Sequence, residues 1–583
     1  MSGPHGFGAT LVGEGRTRFR LWAPGLREVA VEVEGLEPVP MHALARGWFE
    51  VEAPCGAGAR YRFRVGPDLR VPDPASRAQA MDVDGPSVVV DPERYVWRTP
   101  GWRGRPWRET VICEVHAGLA GGFKGVARRL PDLAALGVTA VELMPVADFS
   151  GRRNWGYDGV LPYAPDAAYG DPDDLRALVD AAHALGLMVF LDVVYNHFGP
   201  DGNYLNAYAP QMFDAQRQTP WGGAIDFRRP EVRQFFTENA QMWVRDYRID
   251  GLRLDAVHAI SQQDWLPEMA EAVRAAAPER HVHLMLENER NGARLLGGPP
   301  AFDAQWNDDF HNVMHVLLTG ETAGYYGDFA EAPVEKLARC LAEGFIYQGQ
   351  PSPHHDGAPR GEPSGHLPPT RFISFLQNHD QIGNRAFGER LTRLADPQKL
   401  RAATGLLLLC PQVPLFFMGD EIGAETPFLF FTDFHDALAD AVREGRRKEF
   451  ARFAEFSDPQ RRALIPDPNA LQTFEMSRPA ASDLTAAWRE LYRRLLTLRR
   501  DHLAGALDGA KALEAQVIGD KAVVARWRLG DGRVLILALN LGDAPVAFAA
   551  PSAAPLAVVS AQAWRDPARL PPAALIAWLV DDA

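Results

Sequence analysis

Eight short apolar runs, spread over residues 111–421 and separated by stretches of helical character, constrain this chain more than any other feature. They are VICEVHA (111–117), VTAVELMPV (138–146), LMVFLDVVYNH (187–197), GLRLDAV (251–257), HVHLMLE (281–287), AFDAQWND (301–308), RFISFLQNHD (371–380) and VPLFFMGDE (413–421). Each begins apolar, and most end in polar or charged residues. Near-continuous apolar runs belong to strands covered on both faces, and their alternation with helices calls for a parallel sheet. Eight such units predict an α/β fold, a (β/α)8 TIM barrel, in which chemistry gathers at the C-terminal ends of the strands.

The flanks have a different texture. TRFRLWAP, EVAVEVEG, GWFEVEAP and ARYRFRVG alternate apolar and polar residues between Gly and Pro, as the strands of a small β-sandwich do. A Pro-, Trp- and Arg-rich linker follows, RTPGWRGRPW (98–107). Beyond the barrel region, Leu484, Trp488, Leu491, Tyr492, Leu495 and Leu498 have helical spacing. Then KAVVARWRL, GRVLILALNL and APVAFAAP alternate again, around an Asp531-Gly532 turn. The expected organisation is an N-terminal β-sandwich at 1–97, a catalytic barrel at 98–504 and a C-terminal β domain at 505–583. The Pro-, Gly- and His-rich segment 347–370 reads as a mobile loop before the seventh strand.

Composition excludes several functions. A formal charge of -14 and a pI near 5.6 argue against nucleic acid or an anionic membrane as partner. The four cysteines, Cys55, Cys113, Cys340 and Cys410, have no CxxC spacing, which speaks against zinc and a disulfide framework. The first residues carry no basic segment followed by an apolar one, and LLLLCPQVPLFFM is broken by Pro411, Gln412 and Pro414 before it reaches membrane-spanning length. A soluble, cytoplasmic protein is expected.

Arg253 and Asp255 share strand parity and point to one side of an apolar strand. A structural ion pair would explain them; the other strand ends decide. Strand three ends at Asp192, Asn196 and His197, strand five at Glu287, and strand seven at Asn378, His379 and Asp380. In a barrel, four carboxylates, two histidines and an arginine would meet on one rim. Such a cluster is costly unless chemistry uses it, because like charges raise one another's pKa. A divalent cation held by carboxylates is the competing explanation.

DVVYNH, GLRLDAVH, the Glu ending LMLE, and FLQNHD resemble, in order and spacing, the four signature regions of the α-amylase family of glycoside hydrolases. NWGYDGVLPYAP (154–165) and FFMGDEIG (416–423) resemble two further stretches of it. The resemblance spans the whole chain and implies a retaining double displacement on an α-glucosidic bond. Asp255 matches the nucleophile, Glu287 the general acid/base, and Asp380 the carboxylate that holds sugar hydroxyls as the ring distorts. Arg253 would keep Asp255 ionised and oriented, since an adjacent cation favours the charged form of a carboxylate. His197 and His379 match groups that hydrogen-bond the sugar, and Tyr157 matches an aromatic platform beneath it. Arg253, His197, His379, Tyr157 and Asp192 make up the expected substrate-binding set, Asp192 also as the structural partner of Arg253. Glu289 shares parity with Glu287 and is the alternative acid. Asn196 matches a calcium ligand in many family members, but the acidic segment that completes such a site is not recognisable, so neither a metal nor another cofactor is expected.

Within the family, the segments 306–329, 375–391 and 426–450 resemble members that release trehalose from maltooligosyltrehalose. Taken alone, 426–450 reads as a loop and an ordinary charged amphipathic helix. The resemblance implies cleavage of the α-1,4 bond next to the terminal trehalosyl unit, with a maltooligosyltrehalose synthase as metabolic partner. The alternatives are a glucan branching enzyme and a non-catalytic α-glucan-binding protein. Segments 306–329 and 426–450 are the expected source of the leaving-group pocket.

Overall fold

The structure, a computed structural model, describes residues 6–298, 302–451, 453, 456–560 and 564–581. Ala301, where the expected sixth run begins, and residues 1–5 and 582–583 of the expected flanking domains lie outside them.

Eight parallel strands close into a barrel in sequence order: β1 (Ile112–Val115), β2 (Ala140–Leu143), β3 (Met188–Val193), β4 (Gly251–Leu254), β5 (His283–Leu286), β6 (Ala304–Trp306), β7 (Phe372–Ser374) and β8 (Val413–Phe417). Each lies inside one of the eight apolar runs. Helices wrap the outside. The first, α1 (Gly122–Leu136), buries Phe123, Val126, Leu130 and Leu133, a stripe of three- and four-residue spacing. Two later helices matter for the site, α2 (Asp308–Thr319) after β6 and α3 (Asp436–Phe450) after β8. The expected closing helix, α4 (Thr485–Leu498), buries Trp488, Leu491, Tyr492 and Leu495.

The two-residue period of the strands sorts the barrel interior into layers. Ile112, Ala140, Phe190, Met285, Ala304, Ile373 and Leu415 form a dry apolar cluster. Two residues further along their strands stand Glu114, Glu142, Asp192 and Glu287, and Arg253 follows Gly251 in the same way. The ladders set Glu114 opposite Glu142 and Asp192 opposite Arg253. The barrel is therefore apolar below and charged above. Gly251 keeps the lower layer closed: a Cβ there would lie 2.7 Å from the Phe190 ring and 2.8 Å from the His283 carbonyl oxygen. Gly251→Ala is expected to cost about 1–3 kcal/mol by overpacking, read as a lower midpoint of thermal unfolding; an unchanged midpoint would show that Phe190 can move aside.

Before the barrel, two sheets face each other. One carries Gly8–Gly13, Arg16–Trp22, Trp48–Ala53 and His42–Ala43, the other Ala30–Val33 and Arg60–Arg64 with shorter partners. After the barrel comes a five-stranded sheet ordered Lys511–Gly519, Ala522–Arg528, Val534–Asn540, Ala574–Val580 and Ala557–Val559. Its edge strand Lys511–Gly519 has no clear inside–outside alternation in burial, which is why its sequence carries little strand signal. Trp527 ties this sheet to the barrel helices by donating its indole N–H to the Leu341 carbonyl at 3.2 Å.

Segment 347–370 contains a short hairpin, Gln350–Pro351 against Pro359–Arg360, which its composition did not announce. Asp309 Oδ2 accepts from the amides of Ile346 and Tyr347 at 2.8 and 3.0 Å, and Asp309 Oδ1 pairs with Arg360 at 3.0 Å. Asp328 accepts from the Ser352 hydroxyl and the His354 amide. Low-complexity composition reports only local propensity, and these anchors come from elsewhere in the chain.

Candidate active site

At the C-terminal ends of the strands a cleft of about 690 Å³ opens. Asp255, Glu287 and Asp380 all line it, from the ends of β4, β5 and β7, together with Tyr157 and His197. Beneath it lies Arg253, which is fully buried. Its Nη1 meets Asp192 Oδ2 at 2.6 Å and Asp255 Oδ1 at 2.8 Å, while its Nη2 lies 2.9 Å from Glu287 Oε2. One guanidinium thus spans three carboxyl groups, as only a planar, permanently charged fork can. The other oxygen of Asp255 accepts from Asn196 Nδ2 at 2.8 Å, so both its oxygens are held.

The backbone takes part as well. Ala256 has φ +40°, a left-handed conformation that a residue with a side chain rarely adopts. That turn aims its N–H at Glu287 Oε2, 2.8 Å away. Nucleophile and acid candidates are therefore linked twice, through Arg253 and through the strained peptide between them.

The electrostatics separate the carboxyls. Burial pushes Glu287 well above the usual carboxylate range; Arg253 opposes this, and Asp255 and Asp380 reinforce it. Burial also raises Asp380, but the His379 imidazole beside it outweighs that and holds the group below its ordinary value. Glu289 lines the same cleft in a different state. Burial raises it, and His258 and His355, at 3.4 and 2.9 Å, outweigh the effect and keep it low. A general acid has to carry its proton near neutral pH, and of this pair Glu287 alone is shifted that way.

Three members of the expected substrate-binding set, Arg253, Asp192 and His379, are at most 2% exposed and lie beneath the side chains that line the cleft. Strand parity placed them on the right side of the barrel, but the depth of the charged layer is a tertiary property. Asp192 receives the Tyr157 hydroxyl at 2.5 Å, and burial raises its carboxyl to about 6 against the pull of Arg253. His197 lines the cleft, yet its ring nitrogens already face the Tyr157 carbonyl, at 3.0 Å, and the Asn196 side chain. Tyr157 lies over His379 with ring centroids 5.1 Å apart. Asn196, whose match is to a calcium ligand in many family members, donates its side-chain amide to Asp255. Among the described residues no group of three or more His, Cys, Asp or Glu side chains could hold a metal ion.

Other cleft residues come from outside the strand ends. The segment 306–329 contributes Asp308, Asn312, Tyr325, Asp328 and Phe329, and 426–450 contributes Phe430, Val442, Gly445, Arg446 and Glu449. Burial raises Asp308 to about 7. The hairpin adds His354, His355 and Arg360, and a second hairpin after β3, Phe213–Thr219 with Gly222–Ile225, adds Trp221, stacked on His197 at 5.5 Å.

Residues 103–221 match the model of the alpha amylase catalytic domain, and 510–576 match a domain of unknown function. The malto-oligosyltrehalose trehalohydrolase of Deinococcus radiodurans is 43% identical over 90% of this chain and 89% of its own length. The chain belongs to the malto-oligosyltrehalose trehalohydrolase family. A crystal structure of an α-amylase-like protein from Salmonella typhimurium superposes on this member of the trehalohydrolase family with a TM-score of 0.93, at 44% identity and 99% coverage of both chains. By contrast, a 1,4-alpha-glucan branching enzyme of Nocardia farcinica matches 43% of this chain and 37% of its own, at 37% identity.

Proposed function

We propose that the chain hydrolyses the α-1,4-glucosidic bond next to the terminal trehalosyl unit of maltooligosyltrehalose, releasing trehalose and a shorter maltooligosaccharide. Asp255 attacks the anomeric carbon while the bond to the leaving oxygen breaks, and Glu287 passes its proton to that oxygen. Trehalose departs and a glycosyl ester on Asp255 remains. Glu287, now a carboxylate, takes a proton from water, whose oxygen attacks the same carbon and frees Asp255 with net retention. Asp380 holds ring hydroxyls as the sugar flattens. Arg253 and Asn196 fix the line of attack by gripping both oxygens of Asp255. One guanidinium in contact with both carboxyls supports the short separation of about 5–5.5 Å that retention needs.

The observation that carries the substrate reading is the cleft wall. Both 306–329 and 426–450 reach the cavity that holds the three carboxyls, in a chain whose family is named for trehalose release. An α,α-1,1-linked leaving group is kinked unlike maltose, and discrimination has to come from walls placed on the leaving side. No helix among the described residues is long and apolar enough to cross a membrane. We take the enzyme to act in the cytoplasm, on substrate supplied by a maltooligosyltrehalose synthase.

Incubation with maltotriosyltrehalose and, separately, with maltopentaose tests this. Rapid release of free trehalose from the first, with slow cleavage of the second, is expected. Equal cleavage of both would make the enzyme a general α-1,4-glucan hydrolase, and α-1,6 branches without trehalose would make it a branching enzyme.

A further inference from the structure

A buried carboxylate that this scheme leaves unused stands beneath Asp380. Glu114, on β1, is 1% exposed. Its Oε1 meets His379 Nδ1, and its Oε2 accepts from the His379 backbone N–H at 3.2 Å. The other ring nitrogen, Nε2, lies 3.3 Å from Asp380 Oδ1 and makes no hydrogen bond of good geometry among the described residues. Tyr157 covers one face of the imidazole, and Trp155 meets it edge-on at 5.5 Å, so the ring has little room to turn. Both ring nitrogens therefore face carboxylate oxygens, which can only accept. That arrangement is favourable only when both carry hydrogen.

We infer that Glu114 is a positioning residue for the hydrolysis: it holds His379 doubly protonated, so that Nε2–H stands as a fixed positive donor beside Asp380 and the sugar hydroxyl that Asp380 receives. The inference rests on the role proposed above for Asp380.

His379 is the cation that contacts Asp380, and Arg253 acts on the same carboxyl to a lesser degree. Burial alone would push the imidazole down, yet Asp380 and Glu114 outweigh it and keep the ring well above its ordinary value. Below the pair, burial and the neighbouring Glu114 drive Glu142 well above the carboxylate range, and burial drives His116 down to about 4. Burial likewise keeps the Tyr157 and Tyr325 phenols un-ionised. On the cleft side stand Glu287 and Asp308, both raised by burial, and Arg253, already shared among Asp192, Asp255 and Glu287. Arg253 thus grips Asp255 directly, His379 is the larger influence that holds Asp380 low with Arg253 assisting, and burial holds Glu287 high.

Glu114→Gln preserves shape and removes the charge. Turnover should fall about 10²-fold, the loss typical of a mispositioned reacting group, with KM nearly unchanged. The acid limb of the kcat/KM profile should move up by about one to three pH units, because Asp380 would then protonate more easily. Neutron diffraction of the wild-type crystal at pH 7 should show deuterium on both nitrogens of His379, and it decides the matter if the variant does not fold. An unmoved acid limb, or a singly protonated imidazole, would overturn the inference. Asp380→Asn separates the two readings: if it is inactive while Glu114→Gln behaves as wild type, only the relay fails, and if it turns over normally, the site assignment itself fails.

Discussion

Asp255→Asn is expected to lower kcat by at least about 10⁴-fold, on the scale of losing the nucleophile in other covalent catalysts. Its carboxylate has to form the bond to the anomeric carbon, and an amide cannot replace it. The fold should survive, since Arg253 keeps Asp192 and Glu287 as partners. A slow glycosyl fluoride that accumulates a covalent intermediate on the wild type should leave none on the variant, as read by intact-protein mass. A glycosyl adduct on Asp255→Asn would remove this residue from the nucleophile's role.

The second large effect belongs to Glu287→Gln. General acid catalysis is worth roughly 10²–10⁴-fold, and kcat should fall by that factor while the affinity for a neutral oligosaccharide is retained. Substrates that need no proton on departure, such as a glycosyl fluoride, should lose far less in the first step. The pH dependence has a definite sign. Burial holds the Glu287 carboxyl well above its ordinary value, so the competent protonated form persists toward neutral pH and is lost as pH rises through that raised value. The alkaline limb of the wild-type profile should therefore disappear in the variant. Glu289→Gln, which alters the pairs with His258 and His355, should stay within about tenfold of wild-type turnover. The opposite ranking of the two variants would make Glu289 the acid.

The reach of sequence reasoning differs from place to place in this molecule. Each barrel strand was legible because burial on both faces demands a continuous apolar run, and the eight runs contain all eight strands. Strand parity also brought Arg253 and Asp255 to one side. It did not give depth: Arg253, Asp192 and His379 lie below the cleft, whereas Asp255, Glu287 and Asp380 open onto it. Nor did it mark Glu114, a lone acid in an apolar run whose partner is 265 residues away. The hairpin within 347–370 was not legible because Asp309 and Asp328 hold it, and composition says nothing about anchors outside the segment.

What the sequence determined by itself is the periodicity: apolar runs that have to be buried on both faces, and polar residues at their ends. That is enough for a barrel with its chemistry on one rim, because strand and helix periods are local properties of the chain. The tertiary structure decided which carboxyl keeps its proton. Glu287 and Glu289 are two residues apart on the same parity, and burial near Asp255 and Asp380, against the pull of Arg253, for one, and pairing with two histidines for the other, sets them apart. Those partners come from distant parts of the chain, and charge states depend on the sum of neighbours in space.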